Sequence, residues 1–235
     1  MDKNKALTYL LKDPVKNCNI INFMCDYPIK CIEKEGNSIS VVGNSDRQWI
    51  YFSSEDTEEF KKLLKKYKCG KNFAITNDWQ FSVIEKNREI VWNLTCLKLY
   101  LPENRKIHYH DKNVKKLKPE HADYIYKNYT YKEFTDVHYL KDRINRMGGF
   151  GFFIDEKLVG WVMTHDDGAI GILHVMKNYR KRGYAEALIL SIINKLRIEN
   201  KIPFVQIEEN NIPSMNLAKK LGFIPLEKIH WIEFK

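Results

Sequence analysis

The sequence of 235 residues lacks long apolar runs and any glycine-rich phosphate motif. No run approaches the roughly 20 apolar residues that a membrane-spanning helix needs. The first residues do not combine a basic segment with an apolar core, as a signal peptide would. We therefore expect a cytoplasmic protein that does not contact a membrane.

Cysteine is scarce and unpaired. Five cysteines occur, all within the first 100 residues, and no two form a Cys-x-x-Cys pair. Disulfide frameworks and zinc sites need paired or clustered cysteines. We expect ordinary thiols and no bound metal.

The net charge of +9 favours an anionic partner, although 44% apolar and 29% charged residues are typical of a globular protein. Nucleic acid, a nucleotide cofactor and an ordinary lysine-rich surface all agree with this charge. The sequence carries no basic, aromatic motif of the common RNA-binding modules. Nucleic acid is therefore the least favoured of these partners.

The segment 101–121 is polar and basic and contains two prolines. Such composition is typical of a linker, which predicts domains at 1–111 and 112–235. Both read as α/β with mixed sheets. The second shows two helices, three strands, helix, strand, helix and strand, with apolar positions at helical spacing in 185–196.

Shorter signals set the expected ends of several elements. Ser53 or Ser54 is placed to cap a helix over 55–67, and Gly222 to end another. The closing strand is expected at 230–234. Tight turns are expected at Gly36-Asn37, at 155–157 and at 166–168.

A basic turn, "NYRKRGYAEA" at 178–187, precedes one predicted helix. The first N–H groups of a helix lack internal partners and attract anions. Gly183 lets an anion approach the backbone, and Arg180, Lys181 and Arg182 add positive charge. The turn is either a pyrophosphate site or a solvated cationic turn.

Two motifs together resemble the GNAT acyltransferase superfamily over residues 112–235. Arg180-x-x-Gly183-x-Ala185 resembles its acyl-CoA signature, and "NNIPSMNLAKKLGF" at 210–223 resembles its closing helix. The segment 167–185 and the tryptophan of the last strand most resemble the glycine N-acyltransferase-like branch.

The resemblance implies an enzyme that transfers an acetyl or other acyl group from acyl-CoA directly to an amine. The matching strand segment would pair with pantetheine, the turn would hold the pyrophosphate, and the closing helix would line the groove. The residues implied in cofactor binding are Leu173, His174, Val175, Arg180, Lys181, Arg182, Gly183, Tyr184, Ala185, Glu186, Asn211 and Ser214.

Two positions depart from the family pattern. Many members have a tyrosine that protonates the leaving thiolate where this chain has Ala218, and a basic glutamate where it has Gln206. The tyrosine is also absent from the glycine N-acyltransferase-like branch. The acid and the base therefore do not transfer from the family.

A base is still needed, because an alkylammonium has a pKa of about 10 in water. His174 and then Glu208 are the candidates; the alternatives are a packed strand histidine and a rim carboxylate. His165, Asp166 and Asp167 read as turn residues.

The first half is either a degenerate copy of the same fold or an unrelated domain. Its element order is the same, but the acidic "FSSEDTEEF" replaces the basic turn and would repel a pyrophosphate. The leading function is an N-acyltransferase for a small amine, such as an amino acid. Alternatives are a silent acyl-CoA-binding protein and, last, a nucleic-acid binder. Acceptor choice is expected to depend on residues 122–149.

Overall fold

The computed structural model describes residues 1–105, 107, 112–132 and 135–235. The chain divides into two compact units, Met1–Tyr100 with Gln206–Lys235, and Leu101–Val205. No helix in these described ranges is long and apolar enough to cross a membrane.

The first unit is a sheet with helices. Its helices are α1 (Lys3–Leu10), α2 (Cys18–Asp26), α3 (Thr57–Leu64), α4 (Asp78–Ile84) and α8 (Ile212–Leu221). Its strands are β1 (Ile29–Glu35), β2 (Ser38–Asn44), β3 (Gln48–Ser53), β4 (Asn72–Thr76), β5 (Ile90–Tyr100) and β11 (Ile224–Phe234). They lie in the order β1-β2-β3-β4-β11-β5.

The last strand of the chain lies between two strands of the first hundred residues. β11 pairs antiparallel with β4, where Trp231 faces Ala74, and with β5, where Trp231 faces Leu94. Ile229 and Trp231 enter one apolar cluster of the unit, and Ile232 enters the other. Alternate residues of a strand point to opposite faces, so β11 contributes to both cores.

The second unit also consists of a sheet with helices. Its helices are α5 (Ala122–Asn128), α6 (Val137–Met147) and α7 (Tyr184–Ile198). Its strands are β6 (Val114–Lys116), β7 (Gly149–Ile154), β8 (Lys157–Thr164), β9 (Ile170–Val175) and the start of β10 (Phe204–Ile207). Their order is β10-β9-β8-β7-β6.

The predicted repetition of element order is confirmed. The series α1-α2-β1-β2-β3-α3-β4-α4-β5 has the same order as α5-α6-β7-β8-β9-α7-β10-α8-β11. Each series also contains a parallel pair at the same place, β3 with β4 and β9 with β10. The first half thus repeats the layout of the second.

The three predicted turns are confirmed, and one predicted cap is wrong. Gly222 ends α8 with φ 93°, and Gly168 lies in the β8–β9 turn with φ 87°. The cap of α3 is Asp56, not Ser53 or Ser54, because the Asp56 carboxylate accepts the N–H groups of the first turn. The closing strand begins six residues earlier than predicted, at Ile224.

The predicted domain boundary between residues 111 and 112 stays a prediction. Residues 108–111 lie outside the described part of the chain. The compact units are divided differently, since residues 206–235 belong with the first hundred.

We expect Ile232→Ala to lower the free energy of unfolding by about 2–4 kcal/mol, because it removes a fully buried side chain of β11. Urea denaturation of the full chain measures this change.

Ile224→Ala is the matched control, since the same residue on the same strand is 42% exposed there. It should cost well under half as much. Equal losses in the two variants would contradict the burial of β11 between β4 and β5.

Candidate functional site

The turn between β9 and α7 leaves a helix N-terminus open. Gly183 is the N-cap with φ 83°, in the left-handed region that favours glycine, and no side chain caps the helix there. A Cβ added at Gly183 would meet no atom within 4 Å. Lys181, with φ 61°, is also left-handed. Such turns direct backbone N–H groups toward an anion.

The three cations of the turn have different surroundings. Arg180 Nε donates to the carbonyl oxygen of Val175 at 2.8 Å, which fastens the turn to the end of β9. The Arg182 guanidinium lies 5.8 Å from the centre of the Tyr179 ring. Lys181 is exposed. The turn therefore carries an exposed positive charge next to the open helix end.

The first residues of α7 continue this surface. Tyr184, Ala185 and Glu186 are half-buried. The Tyr184 ring stacks on Phe152 of β7, with centroids 4.0 Å apart and an interplanar angle of 18°. This contact fixes the start of α7 on the sheet, which holds its N–H groups in place.

Strand β9 is irregular where the pantetheine segment was predicted. Ile172 has φ 47°, an outlier for a β-branched residue, and the register with β8 shifts across this part of the strand. The described ladder with β10 is the pair Ile170–Val205, whereas β9 continues to Val175. Leu173 and His174 are half-buried there. A strand edge beyond its ladder offers backbone groups to an extended ligand.

His174 sits between aromatic rings. Its imidazole stacks on Trp161, with centroids 4.7 Å apart and an interplanar angle of 17°, and the Tyr129 ring lies nearly perpendicular to it, with centroids 6.3 Å apart. Burial lowers the pKa of His174 below its ordinary value, and the Arg180 charge lowers it further. The ring is therefore neutral near pH 7 and able to accept a proton.

The equivalent helix of the first half has a closed N-terminus. Asp56 caps α3, and its carboxylate accepts the N–H groups of Glu58 and Glu59, each at 2.9 Å. A carboxylate of the chain thus takes the place that an anion would take. The acidic turn blocks a phosphate by occupancy as well as by charge.

The remaining predicted residues belong to the first unit. Asn211 caps α8, where its Oδ1 accepts the Ser214 N–H at 3.2 Å. Glu208 is half-buried near the end of β10. Gln206 Oε1 accepts the indole N–H of Trp231 at 2.8 Å. The placement of Asn211, Ser214 and Glu208 in a groove stays a prediction.

Two features were missed from the sequence. The turn carboxylates Asp166 and Asp167 are buried, and so is Arg143, which donates through Nε to the Thr164 carbonyl. Nothing in the turn pattern shows that these charges are internal. The stack of Trp161 on His174 was also missed, although alternation along paired strands could have suggested it. No group of three or more His, Cys, Asp or Glu in the described ranges is arranged to hold a metal.

The second half of the sequence matches one protein-family model. Residues 150–232 match the family model described as FR47-like protein, which is related to the GNAT superfamily. Curated protein sequences give no significant match.

Solved structures resemble the whole chain. A Drosophila protein matches with a TM-score of 0.80 and 14% identity over 100% of this chain and 97% of its own. A GCN5-related N-acetyltransferase-like protein from Streptococcus suis matches with 0.59 and 13% over 99% and 98%. A GCN5-related N-acetyltransferase from Kribbella flavida matches with 0.61 and 8% over 94% and 95%.

These identities show the fold alone. Residues 150–232 match the FR47-like model, and the chain has a mixed α/β fold that matches structures of GNAT N-acetyltransferases over its whole length. The GNAT resemblance of the sequence is thereby confirmed. This fold is associated with acyl transfer from acyl-CoA.

We expect Arg180→Gln to raise the pKa of His174 without restoring its ordinary value, because burial is the larger cause of its lowering. NMR titration of the imidazole resonances measures this pKa. Because the folded-state pKa lies below the unfolded value, this residue's contribution to stability is complete above about pH 6.5. It is lost as the pH falls through the folded pKa.

Arg182→Gln is the matched control, since its guanidinium lies over Tyr179 rather than acting on His174. It should leave the titration unchanged. A wild-type pKa of 6.5 or above would contradict this account of the His174 environment.

Proposed function

We propose that the protein is an N-acyltransferase that transfers an acetyl or other acyl group from acyl-CoA to the amine of a small molecule, such as an amino acid, in the cytoplasm. The observation that carries this proposal is the open N-terminus of α7 at Gly183, beside three cations. The closed N-terminus of α3 shows that such openness does not follow from the fold alone.

The residues of the turn fit a pyrophosphate. Lys181 and Gly183 are both left-handed, a conformation found in backbone turns that bind anions, and the absence of a Cβ at Gly183 leaves space for an anion. The positive charges of Lys181 and Arg182 would strengthen hydrogen bonds from the backbone N–H groups to a bound pyrophosphate. Bound acyl-CoA supplies an acyl group already activated as a thioester.

His174 is the residue that we assign as general base. Its neutral imidazole can take a proton from the acceptor ammonium, directly or through one water. The stack on Trp161 fixes the ring plane, so the accepting nitrogen has a defined direction.

Glu208 is the second candidate for the base. Gln206, at the position where many GNAT enzymes have a glutamate, is bound to Trp231 and has no proton to exchange at neutral pH. Ala218 is buried and offers no acid. If neither His174 nor Glu208 acts, the chain is an acyl-CoA-binding protein without catalytic activity.

We expect Gly183→Glu to weaken acetyl-CoA binding by about ten- to a hundredfold, because it places a carboxylate where the pyrophosphate would lie. Isothermal titration calorimetry with acetyl-CoA and with CoA measures the dissociation constants.

Gly183→Gln is the matched control, since it imposes the same left-handed strain and bulk without the charge. It should bind at least several-fold more tightly than Gly183→Glu. Absence of binding by the wild type, or equal affinities of both variants and the wild type, would refute the pyrophosphate site.

We expect His174→Gln to reduce kcat/KM for acyl transfer by about 10²- to 10⁴-fold, with little change in acetyl-CoA affinity. Release of free CoA thiol during reaction with a panel of amines measures the rate.

His165→Gln is the control, because this histidine lies in the β8–β9 turn region and contacts Tyr139. It should stay within a few-fold of the wild type. A loss in Glu208→Gln with His174→Gln unchanged would transfer the base to Glu208. Acetyl-CoA binding without transfer to any amine would favour the silent binding protein.

A further inference from the structure

A continuous series of aromatic rings leads from the surface of the second unit to its core. Tyr131 contacts Tyr129 with centroids 5.8 Å apart, and Tyr129 contacts His174 at 6.3 Å. His174 then stacks on Trp161 at 4.7 Å. We call Tyr129, Tyr131 and His174, backed by Trp161, the aromatic wall.

Exposure decreases along this wall. Tyr131 is 39% exposed, Tyr129 and His174 are half-buried, and Trp161 is fully buried. Trp161 therefore supports the wall, and the outer three rings can meet a ligand. The Trp161 indole N–H is buried without a hydrogen-bond partner among the described residues, a rare condition that calls for a structural or functional reason.

The tyrosine rings of the aromatic wall can contact a cation as well as an apolar group. Tyrosine faces attract ammonium groups through the ring quadrupole, and flat rings also stack with one another. An amine with an aromatic substituent would use both interactions.

We propose that the aromatic wall is the acceptor subsite of the proposed transferase, and that it selects amines bearing a flat aromatic group. This inference rests on the proposed function, because His174 is both one ring of the wall and the residue assigned as general base. The amine, rather than the acyl group, is the occupant because only the amine carries a positive charge for the tyrosine faces.

The test compares 2-phenylethylamine with butylamine, which lacks the ring, using acetyl-CoA as donor. We expect the wild type to prefer 2-phenylethylamine by about tenfold in kcat/KM, as one ring–ring contact allows, because both amines carry the ammonium group and only one carries a ring. Tyr129→Leu should bring this ratio to within two- to threefold of unity with acetyl-CoA affinity unchanged. Tyr131→Leu, at the more exposed ring, should lower the ratio in the same direction.

Tyr126→Leu is the matched control, since Tyr126 packs against the same apolar cluster but lies outside the wall. It should keep the tenfold ratio. Equal kcat/KM for the two amines in the wild type, or a ratio that persists in Tyr129→Leu, would overturn the proposal. A preference for benzoyl-CoA over acetyl-CoA that Tyr129→Leu removes, with no amine preference, would also overturn it by assigning the wall to the acyl group.

Direct binding separates this inference from the proposed function. If the wild type does not bind acetyl-CoA, the proposed function fails. Saturation-transfer NMR with 2-phenylethylamine alone then tests whether the aromatic wall binds an aromatic amine. Ring signals that Tyr129→Leu abolishes and Tyr126→Leu retains would support the subsite. No signal in the wild type, or signals unaffected by Tyr129→Leu, would overturn it.

Discussion

One strand, β11, from the end of the chain pairs with one edge of β4 and with one edge of β5. Without it each of these strands would expose a row of unpaired N–H and C=O groups, and both apolar clusters of the first unit would lose side chains. Ile229 and Trp231 serve one cluster, and Ile232 and Phe234 serve the other. The sheet of the first hundred residues is therefore complete only when β11 has paired with β4 and β5. These pairings join residues far apart in the sequence and are slow to form.

The helices α3 and α7 occupy equivalent positions in the repeated element order, but their N-termini have opposite chemistry. In α3 the Asp56 carboxylate accepts the first N–H groups, so that end is satisfied by the chain itself. In α7 the cap is a left-handed glycine with no side chain to offer, and the neighbouring charges are positive. A difference of a few residues thus separates a helix end that stabilises the fold from one that is suited to a ligand. Such sites depend on local chemistry placed on a shared fold.

Much of the fold and part of the site could be predicted from the sequence, because the relevant signals are local. Helical spacing in 185–196, the glycine that ends α8 and the tight turns of the strands each depend on neighbouring residues. The basic turn at Gly183 was visible for the same reason. The cap of α3 was misplaced because Ser53, Ser54 and Asp56 are all good capping residues, and the backbone path selects among them. Burial of Asp166 and Asp167 was not predictable, since a turn sequence does not reveal what packs over it.

By itself the sequence determined the types of element, their order, and both the charge and the glycine of the turn before α7. These follow from propensity, periodicity and the φ angles open to glycine, which act over a few residues. Only the tertiary structure decided that β11 separates β4 from β5, and that His174 lies between Trp161 and Tyr129. Alternation tells which face of a strand is buried but not which strand is its neighbour, because strand order depends on contacts between residues far apart in the chain.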